Sequence, residues 1–122
     1  MLTAQPLLEA ACDWLTEDHW VQNEYADNGH GSSVSPVHAL RTDLLGALAK
    51  VLKINPVVFE TSREDWPNSL CVAVDRLAHA IDPGNRFDDP VGIVATFNDR
   101  TTTSYEDAFL ALKNATYPEG TK

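Results

Sequence analysis

The chain has 122 residues, of which 43% are hydrophobic and 22% charged, as in an ordinary soluble globular domain. Eighteen acidic residues against nine basic ones give a formal net charge of −9, and the basic residues are dispersed. This charge argues against nucleic acid as a partner, because binding requires lysine and arginine to neutralise phosphates. No apolar run approaches the ~20 residues that cross a bilayer, which argues against a membrane partner.

The first apolar stripe follows Thr3, a residue type that caps helix N-termini. Pro6 is tolerated within a first helical turn. We therefore predict a helix from Thr3 that ends around Asp18. Its apolar face consists of Leu7, Leu8, Ala11, Cys12, Trp14 and Leu15.

An aromatic and polar stretch comes next and supplies the best candidates for a recognition surface: His19, Trp20, Gln22 and Tyr25. Aromatic rings beside amide and imidazole groups line ligand pockets and anchor protein partners. The structural alternative, which we favour, is that Trp20 closes one end of a helical core while its neighbours are solvated.

Residues 27–35 have the composition of a loop, and their glycines lack the Gly-Lys-Ser/Thr of a P-loop. Ser35 before Pro36 is a second helix-start signal, because proline is favoured at the first helical position. We predict a helix from there until Asn55-Pro56. Its apolar face is Val37, Leu40, Leu44, Leu45, Leu48, Val51 and Leu52.

A third helix is predicted from Asn68 or Ser69 to Ile81, because apolar residues recur there at helical spacing until Pro83-Gly84. Asp89-Pro90 resembles another helix start and predicts a short helix over residues 91–98. The β-branched residues of that segment favour a buried strand instead. We choose helix because no second strand is evident to pair with it.

The last helix is predicted to begin at a capping box formed by Thr103 and Glu106. The turn before it carries three polar residues: Asn98, Asp99 and Arg100. Asp99 beside a cation would suit a general base. Asparagine and aspartate also bond nearby backbone amides in turns, and we favour this structural interpretation.

Neither a metal nor a cofactor is predicted, and no residue is assigned a catalytic role. The four histidines form no ligand cluster, and neither a nucleophile elbow nor a dinucleotide-binding glycine pattern is present. Cys12 and Cys71 lie on different predicted helices and are expected to be buried free thiols in a reducing compartment. The alternative is a disulfide between them, which requires a geometry that the sequence does not show. The first residues have no basic leader and already include Glu9, so a secretory signal is not expected. Both expectations favour the cytoplasm.

Three stretches resemble a family of small proteins, from actinobacteria and their phages, whose function is unknown. They are the Phe97–Ala115 turn and helix, His19-Trp20-Val21-Gln22, and Leu45-Gly46-Ala47-Leu48. The resemblance implies a compact helical domain. It transfers no catalytic residue.

We therefore predict an all-α fold: one compact bundle of four to five helices over residues 1–122, with two long loops and a frayed tail at 118–122. The predicted function is a small acidic cytoplasmic protein-interaction or regulatory module with an unidentified protein partner. The acidity favours simple solubility, or else a surface for a basic partner. The alternative function is a small-ligand-binding protein or enzyme with a pocket near His19, Trp20 and Asp99.

Overall fold

The computed structural model describes residues 3–22, 26–27, 41–54, 58–59, 61, 63–84, 89–100 and 102–117. Within them the chain forms five α-helices and short 3-10 turns, so the fold is all-α as predicted. The helices are α1 (Ala4–Trp14), α2 (Leu44–Leu52), α3 (Asn68–Ile81), α4 (Pro90–Asp99) and α5 (Tyr105–Thr116). The 3-10 turns include Glu17–His19 and Arg63–Asp65. Two short strands, β1 (Ala26–Asp27) and β2 (Arg41–Thr42), pair antiparallel with Ala26 opposite Thr42.

The core is built mainly from leucines, and α3 packs against α1, α4 and α5. Helices α1 and α5 run antiparallel, because Tyr105 at the start of α5 donates to the Leu15 carbonyl while Gln5 donates to the Thr116 carbonyl. The largest fully buried apolar side chains are Leu7, Leu8, Leu15, Leu44, Leu45, Leu48, Leu70, Val74, Leu77, Val94 and Leu112.

The first helix begins after Thr3 as predicted, but it ends at Trp14 rather than near Asp18. Thr3 is the N-cap residue without a capping side-chain bond. At this end, the carbonyl oxygen of Trp14 accepts from the Thr16 amide at 3.0 Å and lies 2.8 Å from Nδ1 of His19. That carbonyl is one of the groups that a helix end leaves without an intrahelical partner. The imidazole therefore bonds to a carbonyl that the amide of a further helical turn would otherwise reach.

The second helix begins at Leu44, so the predicted continuous helix from Ser35-Pro36 is wrong at Arg41–Thr42, which are extended. Ser35 and Pro36 lie outside the described residues. Asp43 is the N-cap, and its carboxylate accepts a 2.6 Å hydrogen bond from the amide of Gly46. Lys53 ends the helix in the left-handed region, with φ 61°. The apolar spacing thus continued across a real helix boundary.

The third and fourth helices match the sequence prediction, and residues 91–98 are helical rather than a strand. Asp89 caps α4 by accepting from the amide of Val91, and Pro90 occupies the first helical position. Val94 is fully buried, whereas Val91 and Ile93 are half-buried. The cap and the proline outweigh the weak strand preference of β-branched residues.

The last helix begins one residue later than predicted, and the Thr103–Glu106 capping box is wrong. Ser104 is the N-cap: its hydroxyl accepts from the Asp107 amide at 3.2 Å, and the Asp107 carboxylate accepts from the Ser104 amide at 3.1 Å. Thr103 is buried and belongs to the preceding turn, where its amide donates to the Arg100 carbonyl. The sequence allows two capping frames, Thr103 with Glu106 and Ser104 with Asp107, since both have the spacing of a capping box. The turn before α5 uses the Ser104 frame.

Both cysteines are free thiols, but they are half-buried rather than fully buried. The sulfur of Cys12 lies 3.3 Å from the hydroxyl oxygen of Thr116, and burial raises the pKa of this thiol. Among the described residues, no helix has the length and apolar character needed to cross a bilayer.

Candidate functional site

Asn98 is the centre of the candidate site and is completely buried, with 0% of its surface exposed. Its Oδ1 accepts from Trp20 Nε1 at 2.8 Å and from the Leu44 amide at 3.2 Å. Its Nδ2 donates to the Val21 carbonyl at 3.2 Å and to Asp99 Oδ1 at 3.0 Å. An asparagine amide offers two donors and two acceptor positions, so all four are used. We call these five residues the Asn98 hub.

Gln22 joins the hub to the turn after α4. Its Nε2 lies 2.9 Å from the carbonyl oxygen of Asn98, 2.8 Å from that of Arg100 and 3.4 Å from that of Thr103. Carbonyls at a helix C-terminus have no intrahelical partner. The two N–H groups of this amide are shared between the Asn98 carbonyl at the end of α4 and the two turn carbonyls that follow it. The side chain is therefore bonded to the backbone and fixes where α4 ends.

Trp20 is half-buried and packs against the core. Its ring lies 6.4 Å from that of Tyr105, and the hydroxyl of Tyr105 donates to the Leu15 carbonyl at 2.9 Å. The next residue, Val21, donates its amide to the Thr42 carbonyl. This is the arrangement expected if Trp20 closes one end of the helical core.

His19 belongs to a different cluster. Its ring stacks on that of Trp14 with 4.1 Å between centroids and 7° between planes. Its Nδ1 bonds to the Trp14 carbonyl and to the Thr16 hydroxyl, and because a carbonyl only accepts, this nitrogen carries a proton. The Lys50 ammonium lies 4.4 Å from the centre of the Trp14 ring, and burial lowers its pKa.

The three polar residues at the end of α4 have different surroundings. Asn98 is directed into the core, Asp99 is half-buried and accepts from Asn98, and Arg100 is exposed. The structure thus brings Trp20 and Gln22 together with these residues, whereas His19 bonds to neither Asn98 nor Asp99. Tyr25 lies outside the described residues.

Helix α3 forms one wall of two grooves that the sequence did not predict, one with α4 and one with α5. The α3–α4 groove has a volume of about 520 Å³ and is lined by Ile81, Asp82, Asp89, Gly92, Ile93, Thr96, Phe97 and Arg100. The α3–α5 groove has a volume of about 670 Å³ and is lined by Asp75, Arg76, His79, Ala80, Pro83, Asn114 and Ala115. The helix predicted over residues 91–98 indicated one wall of the α3–α4 groove. Nothing in the sequence marked the second, because it joins two distant segments.

These hydrogen bonds and ring contacts hold separate segments of the fold together. The described residues contain no group of three histidine, cysteine, aspartate or glutamate side chains placed to hold a metal ion. The donors and acceptors of the Asn98 amide are occupied by partners within the chain. The fold and its contacts define a small all-α domain closed by a buried polar hub.

The model of DUF6197, described as a family of unknown function, matches residues 1–117. The chain therefore belongs to this family. No curated protein and no solved structure matches it.

Proposed function

We propose that this protein is a small acidic protein-interaction or regulatory module that binds a protein partner through the outer side of α4. The observation that carries this proposal is the contrast between the two sides of that helix. Its buried side carries Val94 and Asn98. Its outer side, which we call the α4 face, comprises Asp89, Gly92, Ile93, Thr96, Phe97 and Arg100.

The composition of the α4 face suits a protein partner. Ile93 and Phe97 are half-buried and pack against the core, and the parts of them that stay exposed form an apolar centre. The exposed Asp89 and Arg100 lie at its two ends. Protein interfaces commonly combine a central apolar patch with a polar rim. The Asn98 hub and Gln22 also hold the end of α4 in place. A surface that is already ordered loses less entropy on binding.

The rival function, a ligand pocket or active site near His19, Trp20 and Asp99, has less support from the geometry. The Trp20 indole nitrogen bonds to Asn98, and the Asp99 carboxylate accepts from the same amide. His19 stacks on Trp14 instead. A pocket built there would have to break the bonds that hold the core closed.

The setting that we propose is the cytoplasm of an actinobacterium or of a phage-infected actinobacterial cell. The free thiols of Cys12 and Cys71 suit a reducing compartment. The resemblance of the Phe97–Ala115 segment to small actinobacterial and phage proteins supports the origin. The net charge of −9 keeps the protein soluble at the concentrations of a cell.

The test is a quantitative pull-down from host lysate with the wild type and two variants. Gly92→Leu places a bulky side chain on the α4 face, and Asn114→Leu places the same side chain on the α3–α5 groove as a matched control. We expect a specific partner to be lost with Gly92→Leu and retained with Asn114→Leu. Equal retention by all three proteins, or loss with Asn114→Leu alone, would contradict the assignment of the binding surface.

A further inference from the structure

We propose that the occupant of the α4 face is a second copy of this chain, packed by an antiparallel contact between the two α4 helices about a two-fold axis. This inference rests on the proposed function, which makes the α4 face the binding surface, and it adds the identity of the partner. Three features of the face support it: its order of charges, its shape and its apolar centre.

The residues of the α4 face follow one another at intervals of three and one along the helix, which places them on a single side. Read from the N-terminal end, they are Asp89, Gly92, Ile93, Thr96, Phe97 and Arg100. In an antiparallel pair whose two-fold axis passes at the level of residues 94 and 95, each residue faces a different one of the other copy. The facing pairs are Asp89 with Arg100, Gly92 with Phe97, and Ile93 with Thr96. A two-fold interface requires such self-complementarity.

The charges are complementary in this arrangement. Asp89 of each copy faces Arg100 of the other, so the contact is made twice. Asp82, at the end of α3, lines the same groove and reinforces the acidic end. Within the described part of the chain, the guanidinium of Arg100 makes no hydrogen bond or ion pair. The net charge of −9 on each copy opposes association at long range, but salt near 0.15 M screens charges more than about 8 Å apart.

The shapes are complementary as well. A Cβ atom added at Gly92 would meet only the Cβ of Asp89, at 3.9 Å, so the space above this glycine is open within the described chain. Glycine inside a helix costs about 1 kcal/mol relative to alanine, and no close neighbour in that part of the chain requires it. In the antiparallel pair, the half-buried ring of Phe97 from the second copy occupies this space. Ile93 then packs against the methyl group of Thr96.

The contact is small, which sets the expected affinity. A helix of ten residues is about 15 Å long, so the interface belongs to the class that buries less than ~1,200 Å² in total. Interfaces of this size are weak and transient. We therefore expect a dissociation constant in the micromolar range or above, and association is to be sought between about 10 μM and 1 mM protein.

The first experiment is sedimentation velocity of the full chain at about 0.15 M salt across this concentration range. We expect the average mass of the wild type to rise from 13.4 kDa towards twice that value. Gly92→Leu should stay monomeric at every concentration, with a melting temperature no lower than that of the wild type, because the added side chain obstructs only the second copy. The matched control Asn114→Leu should associate as the wild type does.

The second experiment exchanges the charges. Arg100→Asp and Asp89→Arg should each be monomeric alone, because every facing pair then carries like charges. A one-to-one mixture should associate, since each acidic variant residue then faces a basic one. Lys113→Asp, an exposed position on α5, makes the same charge change as Arg100→Asp and should leave association intact. Asp89 also caps α4, so if Asp89→Arg is unfolded by circular dichroism, the comparison of Arg100→Asp with Lys113→Asp decides by itself.

Two results would overturn the inference. A wild type that stays monomeric up to 1 mM would exclude a second copy as the occupant, and association unaffected by both Gly92→Leu and Arg100→Asp would exclude the α4 face. The failures remain distinguishable. If the purified protein is monomeric but a lysate partner is lost with Gly92→Leu, the proposed function stands and the partner is a different protein. If the purified protein does not associate and no lysate partner is lost with Gly92→Leu, both proposals fail.

Discussion

Two polar clusters join distant parts of the chain, and each is centred on a buried residue, Asn98 or Thr116. They differ in whether the side chain or the backbone carbonyl of that residue makes the long-range bonds. In the Asn98 hub, a fully buried side-chain amide bonds to an indole, two backbone groups and a carboxylate. In the Thr116 cluster, the long side chains of Gln5 and Arg76 both donate to the Thr116 carbonyl. The Thr116 hydroxyl donates to Leu112 in its own helix and contacts Cys12.

The difference shows which polar contacts the fold depends on. If the Asn98 amide is removed, the buried Leu44 amide and the half-buried Trp20 and Val21 groups lose their partner, and each buried group left unsatisfied costs about 1–3 kcal/mol. If the Thr116 hydroxyl is removed, the two bonds to its carbonyl remain. We therefore expect stability to depend strongly on the hub and weakly on the Thr116 cluster.

Asn98→Leu should have the largest effect and lower the free energy of unfolding by about 3 kcal/mol or more. The substitution keeps the branching at Cγ but leaves Trp20 Nε1, the Leu44 amide and the Val21 carbonyl without their partner. Urea unfolding followed by circular dichroism measures the change. Asn114→Leu makes the same replacement at an exposed site and should cost less than about 0.5 kcal/mol. Equal effects of the two variants would remove the structural role of the hub.

Trp20→Phe should cost about 1–2 kcal/mol, because it removes one donor of the hub and some apolar area while the Leu44 amide still bonds to Asn98. Trp14→Phe is the matched control. The Trp14 indole nitrogen donates to the Thr42 hydroxyl at 3.0 Å, outside the hub. Chemical denaturation should therefore find Trp14→Phe less destabilised. The opposite order would move the structural centre to Trp14.

Ser104→Ala and Asp107→Ala should each cost about 1 kcal/mol, the usual loss for a helix cap. Their losses of unfolding free energy give the cost of an exposed capping bond, with which the losses in the two clusters can be compared. Glu106→Ala should cost at most about 0.5 kcal/mol, because the capping box is made by Ser104 and Asp107 and Glu106 is an exposed first-turn residue whose charge interacts with the helix dipole. Thermal unfolding of the three variants decides between the frames, and a larger loss with Glu106→Ala would restore the box predicted from the sequence.

Thr116→Val should change the free energy of unfolding by less than about 0.5 kcal/mol. The hydroxyl bond to the carbonyl four residues earlier contributes little within a helix. The bonds from Gln5 and Arg76 use the backbone carbonyl and persist. A loss above 2 kcal/mol in urea unfolding would show that the two clusters are equivalent.

Cys12 provides the smallest and most local readout. Burial raises the pKa of its thiol, while the contact with the Thr116 hydroxyl lowers it. The native thiol should therefore alkylate more slowly than in urea at neutral pH, with its rate profile shifted to higher pH. Thr116→Val should shift the profile further, because it removes the bond that favours the thiolate. A shift to lower pH would contradict the contact between the two side chains.

Part of the candidate site could be inferred from the sequence. Trp20, Gln22 and Asn98 were singled out as residue types, and the structure places them in one hydrogen-bonded group. Their arrangement could not be inferred, because Trp20 and Asn98 are 78 residues apart and no local pattern records which side chain meets the buried amide. His19 was grouped with them by sequence proximity alone, and a turn after α1 directs it towards Trp14.

The sequence by itself determined the helices whose start and stop signals agree with their apolar spacing. Helix α3, from Asn68 to a Pro-Gly stop, and helix α4, with Asp89-Pro90 at its start, are of this kind. Local hydrogen bonds and proline geometry are sufficient to specify them. Only the tertiary structure decided where α2 begins, which of two capping frames starts α5, and that Asn98 lies in the core while Arg100 lies outside. These outcomes depend on packing between segments far apart in the chain, where burial leaves a polar group stable only if a partner reaches it.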